Sequence, residues 1–378
     1  MGLFILRRMG VVILTALTLT FIVFILTNLY PNLEKLAKSE GNFRMPDHEV
    51  ATYLANNGYR SPLDPGLLAK IRNGSATPEE IEAGINTGWD NRIFRNYGEW
   101  LGIVPGYVIE GSDGKVRARC AAPGEDAASA RKFCGVLQGH WGRSTVFKDE
   151  VGSIIGVRLG LTGKLMFWVM ILMVPAALIL GVLAGMREGS ATDRTLSTFS
   201  IASTATPEYV SGVIFIAVFT SSAVGLKWFK GTATAAMENA NFENFFLPVL
   251  TISLYGMGYI ARMTRASMAE VMTAQYIRTA RLKGVSFPKI VMRHALRNAL
   301  IAPFTVIMLQ FPWLLNGVVI VETLFNYKGF GWTLVQAASN NDIELLLGVS
   351  VVSVVVVLVT QLISDIGYVY LNPRISVT

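Results

Sequence analysis

Long apolar runs separated by polar stretches divide this chain into segments of membrane-spanning length. A helix needs about 20 mostly apolar residues to cross a bilayer, because its backbone finds no water to bond there. The third run is shorter and less apolar than the others. The pattern predicts an all-α polytopic membrane protein with six transmembrane helices. The predicted spans are Met9–Tyr30, Leu165–Met186, about Tyr209–Leu226, roughly Phe245–Ile260, Leu300–Phe325, and Leu345 to about Tyr370.

The first run also resembles a secretory signal peptide, since it follows the basic pair Arg7 and Arg8. Its apolar stretch is too long for that, and no small-x-small cleavage pattern follows it. We therefore expect an uncleaved first span with both arginines in the cytoplasm.

The basic residues test this topology independently. The chain is 52% hydrophobic and only 16% charged, with a net charge of +7. Short cytoplasmic loops are rich in Lys and Arg, and here thirteen lie on the predicted cytoplasmic side against Lys227, Lys230 and Lys328 in two short outer loops. We expect both termini inside, a lipid bilayer as partner and no nucleic acid. The thirteen are Arg7, Arg8, Arg187, Arg194, Arg262, Arg265, Arg278, Arg281, Lys283, Lys289, Arg293, Arg297 and Arg374.

The polar stretch 31–164 lies outside in this topology and is expected to be a small folded periplasmic insertion. In "ATPEE", Thr77 is placed as an N-cap, with Pro78 at the first helical position and Glu80 three residues after the cap. Asp113 and Gly114 stand between two strand-like runs, which predicts a β-hairpin. The expected domains are therefore 1–30, 31–164 and a core at 165–378, with a cytoplasmic loop at 262–300.

Cys120 and Cys134 are the only cysteines in the chain, and both fall on the predicted outer side. An oxidising compartment lets such a pair form a disulfide. The pairing is our preferred interpretation, and two unpaired thiols are the alternative.

Catalytic motifs are missing from the sequence. "GLTGKL" at 160–165 resembles a P-loop but lacks the glycine spacing and the hydroxyl residue. The three histidines have no zinc-ligand spacing, and neither a nucleophile elbow nor an H-E-x-x-H pair occurs. We expect no enzyme activity, no metal site and no cofactor bound by this chain.

The segment "YIRTARLKGVSFPKIVMRHALRNA", residues 276–299, is strongly basic. Good helix formers from Met268 to Lys283 predict one helix that ends at Gly284, and Ser286 is a possible cap for a second helix leading into the fifth span. The prediction is a helix, a break and a helix, forming an elbow in the cytoplasm.

For Lys289, Arg293 and Arg297, fixing topology and meeting anionic lipid is sufficient explanation. For the segment from Tyr276 to Gly284, this explanation is weaker. Ala280 and Gly284, four apart, predict a small-residue notch on one helix face for close approach by another protein. Arg278 and Arg281 would then pair with carboxylates of that partner.

Polar and helix-disturbing residues in the fifth span should face the bundle interior, because they cost free energy against lipid. Gln310, Trp313 and Asn316 are candidates for contact with a peptide backbone, and interhelical hydrogen bonding is an equal alternative. Glu322, near the outer end, is expected to attract cations or to cap local structure. Asp365 in the sixth span is expected to pair with an arginine.

These motifs together resemble the permeases of ATP-binding-cassette (ABC) importers, in the dipeptide, oligopeptide and nickel permease family. "YIRTARLKG" with "RHALRNALIAP" is similar to that family's cytoplasmic loop. "LFILRR", "GHWGRSTVFKDEV", "VVIVETLFNYKGFGWTLVQA" and "SDIGYVYLNPRI" extend the resemblance to the family's first, B-type subunit.

The resemblance implies a permease of the bacterial inner membrane whose elbow is a coupling helix seated in a separate ATPase subunit. It implies a homologous second permease, two ABC ATPases that use ATP and Mg, and a periplasmic substrate-binding protein. Peptides are the default substrate, while relatives handle nickel, glutathione-like thiols and opines. The coupling residues carried over are Tyr276, Arg278, Thr279, Ala280, Arg281, Lys283 and Gly284.

The chain departs from the family pattern at two motif positions and in its outer insertion, which is longer than in the short members, with an added segment near residues 32–60 and the cysteine-bearing hairpin. Arg278, Thr279 and Ala280 stand where the general permease loop has Glu-Ala-Ala, as is usual in the peptide branch, and Asn372 replaces a common aspartate. Two other classes stay open: an ion-coupled secondary transporter, and a membrane-anchored binding or structural protein.

Overall fold

The computed structural model of this chain describes residues 2–59, 65–85, 93–121, 126–127, 129–221 and 226–371; the side chains of 2–5, 65, 311–317 and 368–371 are not described. The chain divides into two compact units. Unit 1 comprises Met1–Leu14, Val157–Thr333 and Val355–Thr378, and unit 2 comprises Thr15–Gly156 and Leu334–Val354.

Long helices form most of unit 1. Helices α1 and α16, which begin and end the described chain, each contribute part of their length to it. A π-helical segment, Ile290–Ala295, joins α12 to α13. The helices of this unit are α1 (Gly2–Thr27), α7 (Val151–Gly185), α8 (Ala191–Ala205), α9 (Glu208–Phe219), α10 (Phe242–Thr273), α11 (Gln275–Leu282), α12 (Phe287–Lys289), α13 (Leu296–Ala299), α14 (Ile301–Leu324) and α16 (Ile343–Leu371).

Four of the described helices are long and apolar enough to cross a membrane, or up to six if each of two bent pairs is one span. The four are Leu6–Thr27, Val151–Gly185, Phe242–Thr273 and Ile343–Gly367. The bent pairs are α8 with α9, at 104°, and Phe287–Ala299 with Ile301–Gln310, at 51°. The chain is therefore mostly helical with four to six candidate spans.

The third predicted span is wrong as a single helix over Tyr209–Leu226. Helix α9 ends at Phe219, and its 12 residues cover about 18 Å, short of a hydrocarbon core of about 30 Å. It is preceded by α8 and a sharp bend at Pro207. The bend has a local cause, because the residue before a proline avoids helical geometry, and Thr206 is extended with ψ 120°.

Other predicted bounds are displaced. Helix α7 begins at Val151, so residues 151–164, assigned to the insertion from sequence, continue the second span. Helix α10 runs on to Thr273, well beyond the predicted end at Ile260. Both extensions are amphipathic or partly polar, and tertiary packing supports helix there without a continuous apolar run.

The core of unit 1 is a cluster of apolar side chains from α7, α10 and α14. Leu165, Met173, Ile252, Val318 and Phe325 are among its fully buried members. Close packing of these side chains holds the helices together, because helices in a bilayer associate through van der Waals contacts and not through removal of apolar surface from water.

Unit 2 has short helices and one hairpin. Thr77 forms the predicted capping box: its side chain accepts from the Glu80 N–H, and the Glu80 side chain accepts from the Thr77 N–H. The predicted hairpin is also present, with Gly114 at φ +69° in its turn. The elements are α2 (Tyr30–Glu40), α3 (Asp47–Asn56), α4 (Pro65–Arg72), α5 (Pro78–Ala83), α6 (Ile93–Leu101), β1 (Val108–Glu110), β2 (Val116–Ala118) and α15 (Phe330–Ser339), the last shared with unit 1.

The start of α16 belongs to the core of unit 2. Ile343 and Leu347 pack with Leu33, Leu54 and Trp100, which all come from the first third of the chain. The compact unit that holds the insertion therefore includes residues 334–354 as well, which the sequence associates with the permease core.

Candidate functional site

The cytoplasmic loop predicted at 262–300, called the elbow here, contains a break that the sequence missed. The helix expected from Met268 to Lys283 is two helices, because Ala274 is extended (φ −64°, ψ 147°) between α10 and α11. The Ala274 N–H still bonds the Val271 carbonyl, which closes the end of α10. The prediction of one continuous helix is wrong.

A small apolar cluster explains the bend. Met268 and Met272 on α10 pack against Ile277 and Ala280 on α11. In one straight helix, Ile277 and Ala280 would lie too far along the axis to pack against Met268 and Met272. Burial of all four side chains in one cluster therefore requires a bend between α10 and α11. The second half of the elbow completes the cluster with Ile290, Val291, Ala295 and Ala299.

The predicted notch is wrong for the same reason. Ala280 is only 8% exposed and faces the chain's own cluster. Gly284 lies beyond the end of α11, at φ +75°, a left-handed conformation that glycine adopts at little cost. The two residues therefore do not form one helix face. Ser286 has the extended backbone of an N-cap, but its side chain makes no cap bond.

The opposite face of α11 is exposed and basic. Tyr276, Arg278, Thr279, Arg281 and Lys283 all lie on the surface. Among the ion pairs between described residues, none involves either arginine or the lysine. Their charges are thus available to a partner.

Leu282 stands within this basic surface and is 82% exposed. Sequence reasoning missed it. At 100° per residue it lies 200° around the helix from Ala280, so the buried position of Ala280 was the signal needed to place it. An exposed large apolar side chain beside arginines makes this face a candidate contact surface for a partner.

The elbow is tied to other helices by hydrogen bonds. Arg265 on α10 makes a two-pronged ion pair with Asp193 on α8, with N–O distances of 2.5 and 2.8 Å. Asp193 also accepts from the Gly189 N–H and the Ser197 hydroxyl. Ser267 donates to the Ala299 carbonyl at 2.8 Å, which joins α10 to α13.

The residues proposed for a pathway have different environments. Gln310 is buried, as expected for the bundle interior. Trp313 and Asn316 lie on α14, but their side chains are outside the part of the chain that the structure describes. A cavity of about 410 Å³ in unit 1 contains none of these residues. It is lined by Lys164, Trp168, Ala240, Asn241, Phe242, Phe245, Phe246 and Val249.

Glu322 is completely buried in a polar centre. Its carboxylate accepts from the Thr162 hydroxyl and, at 2.8 Å, from the Trp332 N–H. Thr162 in turn accepts from the Phe330 N–H at 2.7 Å. This arrangement agrees with the capping alternative of the sequence analysis, and Glu322 does not face an open passage in this structure.

Two further predicted pairs are close in the structure. Arg8 Nη2 lies 2.6 Å from an Asp365 carboxylate oxygen, so the predicted pairing of Asp365 with an arginine is present. Cys120 and Cys134 form a disulfide next to the hairpin, with Cα atoms 5.5 Å apart.

Residues 177–377 match the family described as binding-protein-dependent transport system inner membrane component. The matched range begins within α7 and includes the elbow, α14 and α16. This family is a transport component, so the chain is not assigned to an enzyme class.

Curated relatives agree with this match. The chain is 35% identical over 243 residues to the probable peptide ABC transporter permease protein y4tP of Sinorhizobium fredii, covering 64% of this chain and 77% of the relative. It is 34% identical to the oligopeptide transport system permease protein AppB of Bacillus subtilis, with the same coverage. It is 31% identical to the dipeptide transport system permease protein DppB of Haemophilus influenzae, over 64% of this chain and 78% of the relative.

The multi-pass helices, the anchored basic elbow and the family match lead to one assignment: the chain belongs to the binding-protein-dependent transport system inner membrane components and is a permease subunit of an importer of that kind.

Proposed function

We propose that this chain forms half of the translocation pathway of an ATP-driven peptide importer in the bacterial inner membrane. Its partners are a homologous second permease, two ABC ATPases that use ATP and Mg, and a periplasmic substrate-binding protein. The peptide substrate rests on the relatives, which are named as peptide, oligopeptide and dipeptide permeases.

The observation that carries the proposal is the two-sided character of α11. Ile277 and Ala280 hold one face in the chain's own core, while unpaired cations and Leu282 occupy the other. With one face packed in this chain and the other exposed, α11 can bind a partner and transmit the partner's movement to the rest of the chain. In this proposal the ATPase contacts Tyr276, Arg278, Thr279, Arg281, Leu282, Lys283 and Gly284, and Ala280 supports them from beneath.

The contacts of the elbow provide a route for that movement. Helix α10 has 32 residues and no break from Phe242 to Thr273, so it is a rod of about 48 Å. Arg265 connects it to α8 through Asp193, and Ser267 connects it to α13. Displacement of α11 is therefore transmitted to three helices as rigid elements, as alternating access requires.

The test replaces the exposed apolar residue by a charge. We expect Leu282→Asp to abolish binding of the ATPase and ATP-dependent peptide uptake in proteoliposomes containing all components. The matched control is Leu137→Asp, an equally apolar exposed residue on the predicted outer side. Both variants should unfold at the temperature of the unmodified chain.

Unchanged ATPase binding by Leu282→Asp would contradict the coupling assignment. Uptake driven by an ion gradient without ATP would instead support a secondary transporter, the alternative left open by the sequence.

A further inference from the structure

A second cavity lies in unit 2, and its lining is more polar than that of the first. Its volume is about 40 Å³, and its polar walls include two carboxylates, one guanidinium and the rings of two tyrosines and one tryptophan. None of these side chains has a role in the function proposed above. They are Glu99, Glu344, Arg119, Tyr59, Trp100 and Tyr107.

The Glu344 carboxylate has an unusual position here. Its Oε2 atom is shielded from solvent and has no hydrogen-bond partner among the described residues. A buried acceptor left without a donor is destabilising, and more so if it is charged. This oxygen lies close to the backbone of Gly142, since a Cβ added there would be 2.5 Å from it.

Arg119 is close enough to act on Glu344 electrostatically but does not bond its orphan oxygen. The backbone around the arginine is restrained: the Arg119 N–H donates to the Tyr107 carbonyl at 3.0 Å, and the next residue is disulfide-bonded Cys120. A carboxylate acceptor and a separate guanidinium donor thus line one cavity.

The composition of the walls selects among ligands. Divalent cations prefer six or more oxygen ligands, and this cavity offers few. An ammonium group needs up to three acceptors and is also stabilised by the faces of aromatic rings. Glu99 is already paired with Arg95 at 3.0 Å, so Glu344 is the carboxylate left to take a cation, and the guanidinium of Arg119 suits a neutral carbonyl oxygen beside it.

We propose that this cavity takes the protonated amino terminus of a peptide, with Glu344 accepting from the ammonium group and Arg119 donating to the first carbonyl oxygen. At about 10–15 Å³ per water-sized group, 40 Å³ admits the ammonium and the adjoining atoms, while the rest of the peptide stays outside. The choice of a peptide rests on the proposed function.

The test is direct binding to the full chain in lipid nanodiscs without ATPase subunits, measured by calorimetry. Trialanine is titrated against N-acetyl-trialanine, which has the same backbone but no ammonium group. We expect acetylation to weaken binding about tenfold or more, as loss of a charged hydrogen bond does. Equal affinity for the two peptides, or no binding of either, overturns the proposal.

A pair of variants locates the site. Glu344→Gln should weaken trialanine binding by a similar factor, while Glu110→Gln, an exposed carboxylate on β1, should leave it unchanged. Unchanged affinity in Glu344→Gln also overturns the proposal. If that variant does not fold, the comparison of the two peptides on the unmodified chain still decides.

The two proposals fail separately. Peptide uptake with ATP but equal binding of both peptides removes the amino-terminal site and leaves the importer. Selective binding of trialanine without ATP-driven uptake keeps the amino-terminal site and removes the importer.

Discussion

Glu322 is a carboxylate buried at the end of an apolar helix, and its hydrogen-bond donors come from two other parts of the chain. An apolar span with a few polar residues predicts that those residues face inward, and Gln310 and Glu322 are indeed buried. The partners of Glu322 follow no local rule, because Thr162 is 160 positions away in the sequence. The set of contacts around this carboxylate therefore depends on how distant helices pack.

Replacing Glu322 by alanine should destabilise the protein by about 2 kcal/mol or more, since the Thr162 hydroxyl and the Trp332 N–H lose a buried acceptor. Thermal unfolding in nanodiscs measures the loss. The neighbouring Thr323→Ala, at an exposed position, is the control and should change stability by less than about 0.5 kcal/mol. If Glu322→Ala is as stable as Thr323→Ala, the hydrogen bonds of Glu322 do not stabilise the fold.

At the scale of elements, the elbow illustrates competition between local preference and packing. The residues from Met268 to Lys283 are good helix formers, which is why the sequence predicts one helix. The structure bends the chain at Ala274 because Ile277 and Ala280 are buried only in that way. Tertiary burial outweighs a propensity difference of less than about 1 kcal/mol per residue.

Ala280→Leu should therefore lower stability by about 1–3 kcal/mol through overpacking of this cluster. Thr279→Leu places the same side chain at the adjacent, exposed position and should have little effect on unfolding. Denaturant unfolding of the two variants makes the comparison. A stable Ala280→Leu protein would contradict the inward orientation of that residue.

The ion pair between α8 and α10 has its own control. Asp193→Asn should lower the free energy of unfolding by about 2 kcal/mol or more, because Arg265 loses a buried carboxylate that accepts two hydrogen bonds. The Gly189 N–H, which also donates to this carboxylate, would have to share the one remaining amide oxygen. Glu188, also near Arg265 but mostly exposed, should tolerate Gln within about 0.5 kcal/mol. Unfolding temperatures of the two variants test this. A large loss of stability in Glu188→Gln, with none in Asp193→Asn, would show that Glu188 and not Asp193 is the carboxylate that holds Arg265.

For the whole molecule, the bias of Lys and Arg predicts which side of the membrane each loop occupies. We expect Ser75→Cys, in the insertion, to react with a membrane-impermeant maleimide in intact spheroplasts. Ser286→Cys, in the elbow, should react only after the membrane is opened. Both serines are exposed in the structure, so access within the fold is matched. Labelling of Ser286→Cys in intact spheroplasts would reverse the predicted topology.

The sequence by itself determined the membrane class, the permease family, the capping box at Thr77 and the hairpin at Gly114. These features depend on the length of apolar runs, on motifs, or on bonds between residues a few positions apart. The tertiary structure decided the break at Ala274, the exposure of Leu282, the partners of Glu322 and Asp193, and the orphan oxygen of Glu344. The break at Ala274 and the exposure of Leu282 depend on packing within the elbow, and the others depend on contacts between segments far apart in the chain; local hydrophobic pattern and helix propensity encode neither.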